Sequence, residues 1–396
     1  MKLLVVSATY VVAINQYKWL EMRRQCPGMV VRILTPRRVM HTFGSYEREI
    51  TPELGREAFF DIRDFSVGRR MGYLFDPIRF IRILMEFAPD RIHIEEDPYS
   101  AVGVETVFLA RLVCPKAKIS FFIWDNLARN PPFLLNLVKW GLNRYSLSRA
   151  DLVVCGNQEG ETLLREKKGY QGRSAVLPQL GIDERDYLGP RNEELRQSLG
   201  ASPGVPLIGY VGRLVPEKGV FFLLEALDRL KELPWRAIFL GSGPLAEEIA
   251  REWLPRFGDR LILRGAVAHA EVPAYMRALD VLVLPSYATS RWKEQFGLVL
   301  AQAMLTGVPC VGSSSGAIPE VIGPGGLVFE EKNVDDLTNA LERLIRNEEL
   351  RRSLGGAGRA FALERYTNNA VAKRYLAEFR WSEGTRSRLS PVDANN

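Results

Sequence analysis

The sequence contains few of the side chains that bind metals or form crosslinks. Among 396 residues there are four cysteines and three histidines. The cysteines, at positions 26, 114, 155 and 310, form no C-x-x-C pair and lie far apart, so they indicate neither a zinc site nor a disulfide framework. We predict that all four are buried free thiols. The histidines are too few and too far apart for a metal triad.

The sequence also lacks a long apolar run. No stretch approaches the roughly 18 apolar residues of a membrane span. The first residues, MKLLVVSATYVV, continue directly into a strand-like segment without a cleavage site of small residues, and we therefore expect a cytoplasmic protein. With 46% hydrophobic and 25% charged residues, the composition is ordinary for a globular protein with large cores. The length favours two or three domains.

Positive charge is concentrated in the first half of the chain. Residues 1–180 hold 26 Lys and Arg against 19 Asp and Glu, a balance of +7, and the rest hold 27 against 28, a balance of −1. Arginine pairs at 23–24, 37–38 and 69–70, with Tyr73, Phe75 and Phe80 nearby, could favour an anionic membrane surface or an anionic acceptor. The alternative is a scattered, solvated basic surface, because the sequence has no dense Lys/Arg block. We expect no nucleic-acid partner.

Strand-like and helix-like segments alternate along the first part of the chain. Short apolar runs rich in β-branched residues are typical of strands buried on both faces of a parallel sheet, and they lie at 3–7, 30–34, 92–94, 119–123, 152–155 and 175–177. Helix-like segments lie between them, for example at 77–86, 101–112 and 134–145. The alternation predicts one doubly wound α/β domain over residues 1–185.

The alternation restarts after a polar stretch at 181–204, which is the best linker candidate. The strand-like segments are then 207–211, 237–240, 261–263, 281–284, 308–311 and 327–329, with helices near 220–230, 247–253, 272–279 and 335–346. They predict a second doubly wound domain over residues 186–365, so the fold class is α/β with two Rossmann-like domains. An amphipathic helix at 366–381 and a polar tail at 382–396, which we expect to be mobile, complete the chain.

The most informative stretch is SRWKEQFGLVLAQAMLTGVPCVGSSSGAIPEVI, residues 290–322. It predicts a loop that carries Glu294, a Phe-Gly break and an apolar helix from about Leu298 to Leu305. A helix that begins just after a glycine leaves its first backbone N–H groups unpaired, and these groups and the helix dipole make an anion site. Glu294 and Gln302 are eight positions apart, about 12 Å of helical rise. Two polar side chains therefore flank a predicted phosphate site.

A second motif, GYVGRLVPEKG at 209–219, opens the second domain. The predicted strand ends at Val211, Gly212 permits a tight turn, and the following loop presents Arg213 and Lys218 before a helix. Two cations together with exposed backbone amides suit a diphosphate. Taken alone, the segment fits equally well with two surface cations on an ordinary loop between a strand and a helix.

Together these motifs resemble the sugar-nucleotide site of family-four glycosyltransferases of the GT-B type, the glycosyl transferases group 1. The family has an acidic residue followed closely by FG and a second acidic residue eight positions after the first; here they are Glu294, Phe296–Gly297 and Gln302 in place of the second. The motif G-R-x-x-x-x-K-G matches 212–219. LGSGPL at 240–245, RGAV at 264–267 and ALDVLVLPS at 278–286 extend the resemblance over about 209–329. The first domain is similar in architecture only, and SATYVVAINQ at 7–16 replaces the family's glycine-rich loop.

The resemblance implies two facing Rossmann-like domains, with the last helix packed back on the first. It implies a retaining transfer of sugar from a UDP- or GDP-sugar to an acceptor hydroxyl, in glycan, glycolipid or cell-envelope polysaccharide biosynthesis. The nucleotide sugar is then a co-substrate, and no cofactor or metal is expected. The implied catalytic residues are Arg213 and Lys218, which offset the charge of the leaving diphosphate, and Glu294, which binds sugar hydroxyls. The implied sugar-nucleotide contacts are Gly212, Gly241, Gly243, Val267, Phe296, Gly297, Leu298 and Gln302, the last holding the ribose.

Acceptor-side candidates follow two strands of the first domain. They are Glu96 and Asp97 after IHI, and Trp124, Asp125 and Asn126 after ISFFI, because ligands bind at the carboxyl ends of strands in open α/β sheets. The alternatives are capping carboxylates in a polar loop and, for Trp124, a plug in the domain interface. The basic first domain favours a lipid-linked or cell-envelope acceptor and peripheral contact with the inner face of an anionic membrane. We expect the domains to close over the sugar nucleotide.

Other classes of protein remain open. A dinucleotide-dependent oxidoreductase would need G-x-G-x-x-G after the first strand, which residues 7–16 do not supply. A catalytically weak nucleotide-sugar-binding protein is compatible with Gln302 in place of an acidic residue. A nucleotide-sugar epimerase would need acid and base residues that the sequence does not reveal, and a phosphorylase would need a lysine-bound pyridoxal phosphate that nothing here indicates.

Overall fold

The computed structural model describes residues 1–41, 44–66, 72–128 and 132–381. Within these ranges the strands form two six-stranded sheets and two antiparallel pairs. None of the helices described there is long and apolar enough to span a membrane. The arginine pair at 69–70 and the tail at 382–396, which was predicted to be mobile, lie outside the described residues.

The first domain is built on a parallel sheet with the strand order β10-β9-β8-β7-β1-β2. Short strands with buried side chains, such as the fully buried segment 152–155, explain the continuous apolar runs of the sequence. The order reverses direction between β1 and β7, which is where α/β sheets bind ligands. In chain order the strands are β1 (Lys2–Val6), β2 (Val30–Leu34), β3 (Arg38–His41), β4 (Gly44–Glu47), β5 (Asp64–Ser66), β6 (Tyr73–Phe75), β7 (Arg91–Ile94), β8 (Lys118–Ile123), β9 (Leu152–Cys155) and β10 (Ser174–Val176).

Helices α2, α3 and α5 of this domain each begin at a capping side chain that the sequence supplies. Asp76, Ser100 and Asn157 each accept a hydrogen bond from a backbone N–H in the first turn of the helix that follows. The predicted helices at 77–86, 101–112 and 134–145 are confirmed to within two residues. The helices are α1 (Tyr17–Gln25), α2 (Pro77–Phe87), α3 (Ala101–Val113), α4 (Phe133–Leu147) and α5 (Gln158–Glu166). Helix α1 and the antiparallel pairs β3–β4 and β5–β6 were not predicted.

The second sheet has the strand order β13-β12-β11-β14-β15-β16, with its switch point between β11 and β14. All of its neighbouring strands are parallel. The prediction of a strand at 308–311 was wrong by two residues, because Pro309 has no N–H to donate to a sheet. The strands are β11 (Leu207–Val211), β12 (Arg236–Leu240), β13 (Leu261–Arg264), β14 (Val281–Leu284), β15 (Cys310–Ser313) and β16 (Gly326–Phe329).

The helices of the second half include one that the sequence did not reveal. This helix is α15 (Glu348–Arg365), whose glycines weaken the helical pattern of the sequence. In the structure they let its backbone pack closely, since a Cβ on Gly355 would lie 2.1 Å from the carbonyl oxygen of Gly307. The helices are α6 (Glu184–Tyr187), α7 (Glu193–Ser198), α8 (Val220–Arg229), α9 (Ala246–Glu248), α10 (Leu254–Phe257), α11 (Val272–Met276), α12 (Leu298–Leu305), α13 (Ile318–Ile322), α14 (Val334–Arg346), α15 (Glu348–Arg365), the unpredicted one, and α16 (Asn368–Trp381). A π-helical turn, Ile249–Trp253, joins α9 to α10.

The chain crosses between the domains at two hydrogen-bonded segments. The N–H of Ile182 donates to the carbonyl oxygen of Tyr366 at 2.8 Å, and the N–H of Asn368 donates to that of Ile182 at 2.9 Å. After the second crossing, α16 packs on α1, and Tyr375 and Phe379 are buried in the same cluster as Trp19. The last helix therefore belongs to the core of the first domain.

Several segments are buried to a different degree than the sequence suggested. The linker candidate at 181–204 contains the first crossing at Ile182, and the residues after it fold onto the second domain, where Tyr187 and Leu199 are buried in the core. Of the four cysteines, Cys155 and Cys310 are buried, but those at 26 and 114 are only half-buried. Phe75 and Phe80, which one of the two alternatives for the basic first half placed beside a membrane-facing surface, lie in the core of the first domain. Any membrane contact must therefore use other side chains.

Candidate active site

The loops that follow β11 and β14 meet at the switch point of the second sheet. Lys218 Nζ donates a hydrogen bond to Glu294 Oε2 at 2.6 Å, and Ser286 Oγ donates to the same oxygen at 3.1 Å. The side chains are largely buried, with 15% of Lys218 and 11% of Glu294 exposed. Lys218 Nζ also lies 4.8 Å from the centre of the Trp292 ring. Two of the predicted catalytic residues are thus in direct contact.

Arg213 lies on the same loop and reaches further into solvent. Its guanidinium is 4.0 Å from Glu217, and 43% of its side chain is exposed. Its backbone is anchored, because the Tyr210 hydroxyl donates to the Arg213 carbonyl oxygen at 2.6 Å. Burial, with a further contribution from the charge of Glu294, raises the pKa of Tyr210 well above its usual value, so this hydroxyl remains a donor. The loop is therefore fixed while the guanidinium faces outward.

Glycines let the loops around this switch point touch through their backbones. A Cβ on Gly241 would lie 1.9 Å from the Gly212 carbonyl oxygen, and one on Gly243 would lie 2.2 Å from that of Leu214. Gly219, with φ 69°, places its α-carbon against the carbonyl oxygen of Pro285. Larger residues would force these loops apart. Gly212, Gly241 and Gly243, three of the predicted contact residues, thus line one close-packed turn.

Helix α12 begins beside Glu294. Its N-cap is Gly297, with φ 78° and no side-chain cap, so the first N–H groups of the helix are left for another partner. Leu298 is 40% exposed, whereas Phe296 and Gln302 are buried. Phe296 packs edge-to-face on Tyr366 with ring centroids 5.3 Å apart. Val267, at the end of the loop after β13, is partly buried against the core of the second domain.

The loop that carries Glu294 is also held by the first domain. Asn126 Nδ2 donates to the Glu294 carbonyl oxygen at 2.9 Å, and Asn157 Nδ2 donates to that of Gln295 at 2.8 Å. Lys293 Nζ lies 2.8 Å from Glu159 Oε1. Since these partners follow β8, β9 and β14, the carboxyl edges of the two sheets face each other. The sequence reasoning missed Asn157 and Glu159, although the rule that selected Asn126 applies equally to the end of β9.

Trp124 connects this interface to a buried network in the first domain. Its carbonyl oxygen accepts from Gln295 at 3.3 Å, and its indole N–H donates to Gln179 Oε1 at 2.6 Å. Gln179 Nε2 donates to Glu95 Oε2 at 2.8 Å, and the buried Lys18 Nζ donates to Glu95 Oε1 at 2.7 Å. Burial acts to raise the pKa of Glu95, but the positive charge of Lys18, together with His93, outweighs it and lowers the pKa to about 2. Glu95 is therefore a buried anion.

The other acceptor-side candidates have partners within the first domain. Glu96 Oε1 accepts from the Ala8 N–H at 2.7 Å and from the Tyr73 hydroxyl at 3.1 Å. The Asp97 carbonyl oxygen accepts from Ser100, and Asp125 is partly buried at the edge of the interface. Two 3₁₀ turns, Ala8–Val11 and Ala13–Gln16, follow β1 in the segment where the resemblance implied a glycine-rich loop and the sequence lacks one. Within the described ranges, no three His, Cys, Asp or Glu residues are placed to hold a metal ion.

The raised pKa of Glu96 predicts how the free energy of unfolding depends on pH. Burial raises its pKa from 4.5 to about 7. Because the folded protein then holds this proton more tightly than the unfolded chain, the free energy of unfolding falls as pH rises through this interval and levels off above it. We expect the wild type to lose about 1–3 kcal/mol more than Glu96→Gln across the interval. Urea unfolding at several pH values measures the difference.

Glu105 supplies the control for this prediction, because burial raises its pKa to about 7 as well. Glu105→Gln should remove a separate part of the pH dependence, and the double variant should remove both. A Glu96→Gln variant with the same pH dependence as the wild type would show that the carboxyl group of Glu96 titrates normally.

The two facing Rossmann-like domains have the GT-B fold. The crystal structure of Anabaena Alr3699/HepE in complex with UDP matches with a TM-score of 0.71 and 20% identity, over 96% of this chain and 100% of that one. Residues 191–361 match the model of the family described as glycosyl transferases group 1. The matched segment contains Arg213, Lys218 and Glu294.

Two curated relatives illustrate the similarity. The 2-deoxystreptamine N-acetyl-D-glucosaminyltransferase of Streptomyces fradiae is 32% identical over 254 residues, which is 62% of this chain and 58% of that protein. The lipopolysaccharide core biosynthesis mannosyltransferase LpsB of Rhizobium meliloti is 32% identical over 178 residues, 40% of this chain and 47% of that protein. The chain spans little more than half the length of such relatives, from 54% to 58% for three of them.

Proposed function

We propose that this protein is a retaining glycosyltransferase that moves a sugar from a nucleotide diphosphate sugar to an acceptor hydroxyl. The observation that carries the proposal is the contact between Lys218 and Glu294 beside the N-terminus of α12. A cation, a carboxylate and the uncapped start of a helix converge there, which suits a sugar diphosphate better than a simple anion. The co-substrate is the only small molecule that the proposal requires.

The reaction would begin with departure of the nucleoside diphosphate. Negative charge builds on the leaving oxygen as the glycosidic bond breaks, and Lys218 and Arg213 would offset it. Lys218 is paired with Glu294 in the structure. When a diphosphate binds, the Lys218 ammonium group would donate hydrogen bonds to both the Glu294 carboxylate and a phosphate oxygen. Glu294 would then accept hydrogen bonds from sugar hydroxyls. Gln302 would hold the ribose.

The acceptor hydroxyl would attack on the face that the diphosphate leaves, which retains the anomeric configuration. A new bond forms between the acceptor oxygen and the anomeric carbon, the bond to the phosphate oxygen breaks, and a phosphate oxygen takes the hydroxyl proton. The first domain would supply the acceptor side, with Asn126 and Trp124 at the interface and Glu96 deeper in the cleft. Because Asn126 binds the Glu294 carbonyl oxygen, closure of the domains would set the position of Glu294.

The relatives guide the choice of substrates. A solved structure with the same fold contains UDP, and the Rhizobium relative acts in lipopolysaccharide core biosynthesis by its name. We propose UDP or GDP as the nucleotide and a glycan, glycolipid or cell-envelope acceptor, with the enzyme working in the cytoplasm at the inner face of a membrane.

Calorimetric titration with UDP and with GDP tests the proposal. We expect one nucleotide to bind to the wild type and to bind at least about tenfold more weakly to Arg213→Ala, because an Arg–phosphate contact is lost. Arg229→Ala is the matched control, since it removes an arginine at the far end of α8 whose partner is Asp335. If neither nucleotide binds, or if both variants lose affinity equally, the site is wrongly assigned. Binding without any cleavage of the nucleotide sugar would favour the catalytically weak binding protein instead.

A further inference from the structure

Helix α4 begins with two turns that leave apolar side chains exposed. Phe133 is 80% exposed and Leu134 is 75% exposed, and Leu137, Val138 and Trp140 are each more than half exposed. The exposed positions include consecutive residues, so they cover all sides of the helix end and not one stripe. The helix becomes buried only from Asn143 onward. Its first two turns therefore project from the domain as an apolar knob, which we define as residues 133–140.

The apolar surface continues onto the neighbouring helices. Phe108 and Leu112 of α3 are more than half exposed. A groove between α2, α3 and α4 is lined largely by apolar side chains, including Pro77, Phe108 and Leu142. Monomeric soluble proteins rarely expose a contiguous apolar patch of this kind without a binding role.

Charge around the knob is mostly positive. The sequence from 126 to 150 contains no Asp or Glu and four basic residues, at 129, 139, 144 and 149. Helices α2, α3 and α4 together carry five basic residues and two acidic ones. Basic residues beside an exposed apolar segment with a tryptophan are the combination that binds an anionic bilayer surface.

The knob also lies close to the candidate active site in the sequence. Helix α4 follows β8, and Asn126, which binds the Glu294 carbonyl oxygen, is seven residues before Phe133. A fully extended chain of that length spans at most about 25 Å. A surface that binds the knob would therefore lie near the rim of the cleft.

We propose that residues 133–140 dock this protein on an anionic phospholipid bilayer. Phe133, Leu134 and Leu137 enter the boundary between head groups and acyl chains, and the exposed Arg144 faces the lipid phosphates. A bilayer accounts for the geometry better than a second copy of the chain does, because a flat protein partner would cover one side of the knob and leave the other exposed. The docking does not depend on the proposed function, since it involves no residue of the sugar-nucleotide site.

Sedimentation with lipid vesicles tests the docking. We expect the protein to bind vesicles made of equal amounts of phosphatidylcholine and phosphatidylglycerol, and to bind vesicles of phosphatidylcholine alone much more weakly. The double variant Leu134→Glu, Val138→Glu should lower the partition coefficient about tenfold or more, since two exposed apolar contacts are lost. Arg144→Gln should lower it about fivefold, an effect that salt also produces. Leu363→Glu, which adds a charge at an exposed leucine of α15, should leave it unchanged.

A second measurement locates the contact on the helix. Lipids brominated along their acyl chains should quench part of the tryptophan fluorescence, and Trp140→Phe should remove most of that quenching. The proposal is overturned if the wild type does not bind the mixed vesicles or if the double variant binds them as well as the wild type does. It is also overturned if the wild type is a dimer in solution and the double variant is a monomer. Titration with UDP and GDP in the absence of vesicles reports separately on the sugar-nucleotide site.

Discussion

We expect Lys218→Ala to lower the rate constant for cleavage of the nucleotide sugar by about 10²–10³-fold. Lys218 is the more buried of the two cations on the loop after β11, and its contact with Glu294 places it beside the N-terminus of α12. In a site with little water, a cation next to the leaving phosphate stabilises the transition state far more than a solvated one does. The loss should fall mainly on the turnover number, because the charge on the phosphate grows as the bond breaks.

Slow hydrolysis of the nucleotide sugar measures this effect without a known acceptor, because departure of the diphosphate is common to hydrolysis and transfer. Release of the nucleoside diphosphate is followed in a coupled assay. Lys231→Ala is the matched control, since it removes an exposed lysine just beyond the other end of α8, whose ten residues span about 15 Å. Equal rates for the wild type and Lys218→Ala would remove Lys218 from the catalytic residues, and equal losses in both variants would indicate a general charge effect.

The second-domain half of the candidate site could be predicted from sequence because its chemistry is local. Gly212, Arg213 and Lys218 lie within one loop, and the Phe-Gly break fixes where α12 begins. The rule that parallel strands end at one edge brings Glu294 to the same place, 76 residues away from Lys218. The direct contact between Lys218 and Glu294 was not predicted, since side-chain contacts across loops depend on turn geometry that the spacing of residues does not specify.

The first-domain half was much harder to predict. Lysine is among the residues least often fully buried, so a charged helix such as α1 is not expected to face a core. Gln179 meets Lys18 across 161 residues of sequence, between two segments that contain no recognisable motif. The exposed start of α4 was equally hidden, because an apolar helical segment normally predicts burial. These features depend on how elements pack, and a pattern within one element does not contain that information.

The largest predicted effect on stability concerns Lys18 and Glu95. Both side chains are fully buried, and Lys18 Nζ lies 2.7 Å from Glu95 Oε1. We expect Lys18→Met to destabilise the first domain by about 3–5 kcal/mol, because it leaves an anion buried without its cation. The double variant Lys18→Met, Glu95→Gln should recover much of this loss, since neither charge is then buried. Amide hydrogen exchange in α1 and β7 measures the change locally, as a chain of two domains need not unfold in one step.

The stabilisation by the Lys18–Glu95 pair should depend on pH. The pKa of Glu95 is lowered from 4.5 to about 2, so its stabilising contribution is complete above pH 4.5 and is lost as pH falls towards 2. The wild type should lose this stability in acid, whereas the double variant should not. Lys118→Met is the matched control, because Lys118 pairs with Asp151 in the same domain but is half-exposed, and its removal should cost at most about 1 kcal/mol. Similar costs for Lys18→Met and Lys118→Met would mean that water reaches Glu95 and that the buried pair does not hold α1 on the sheet.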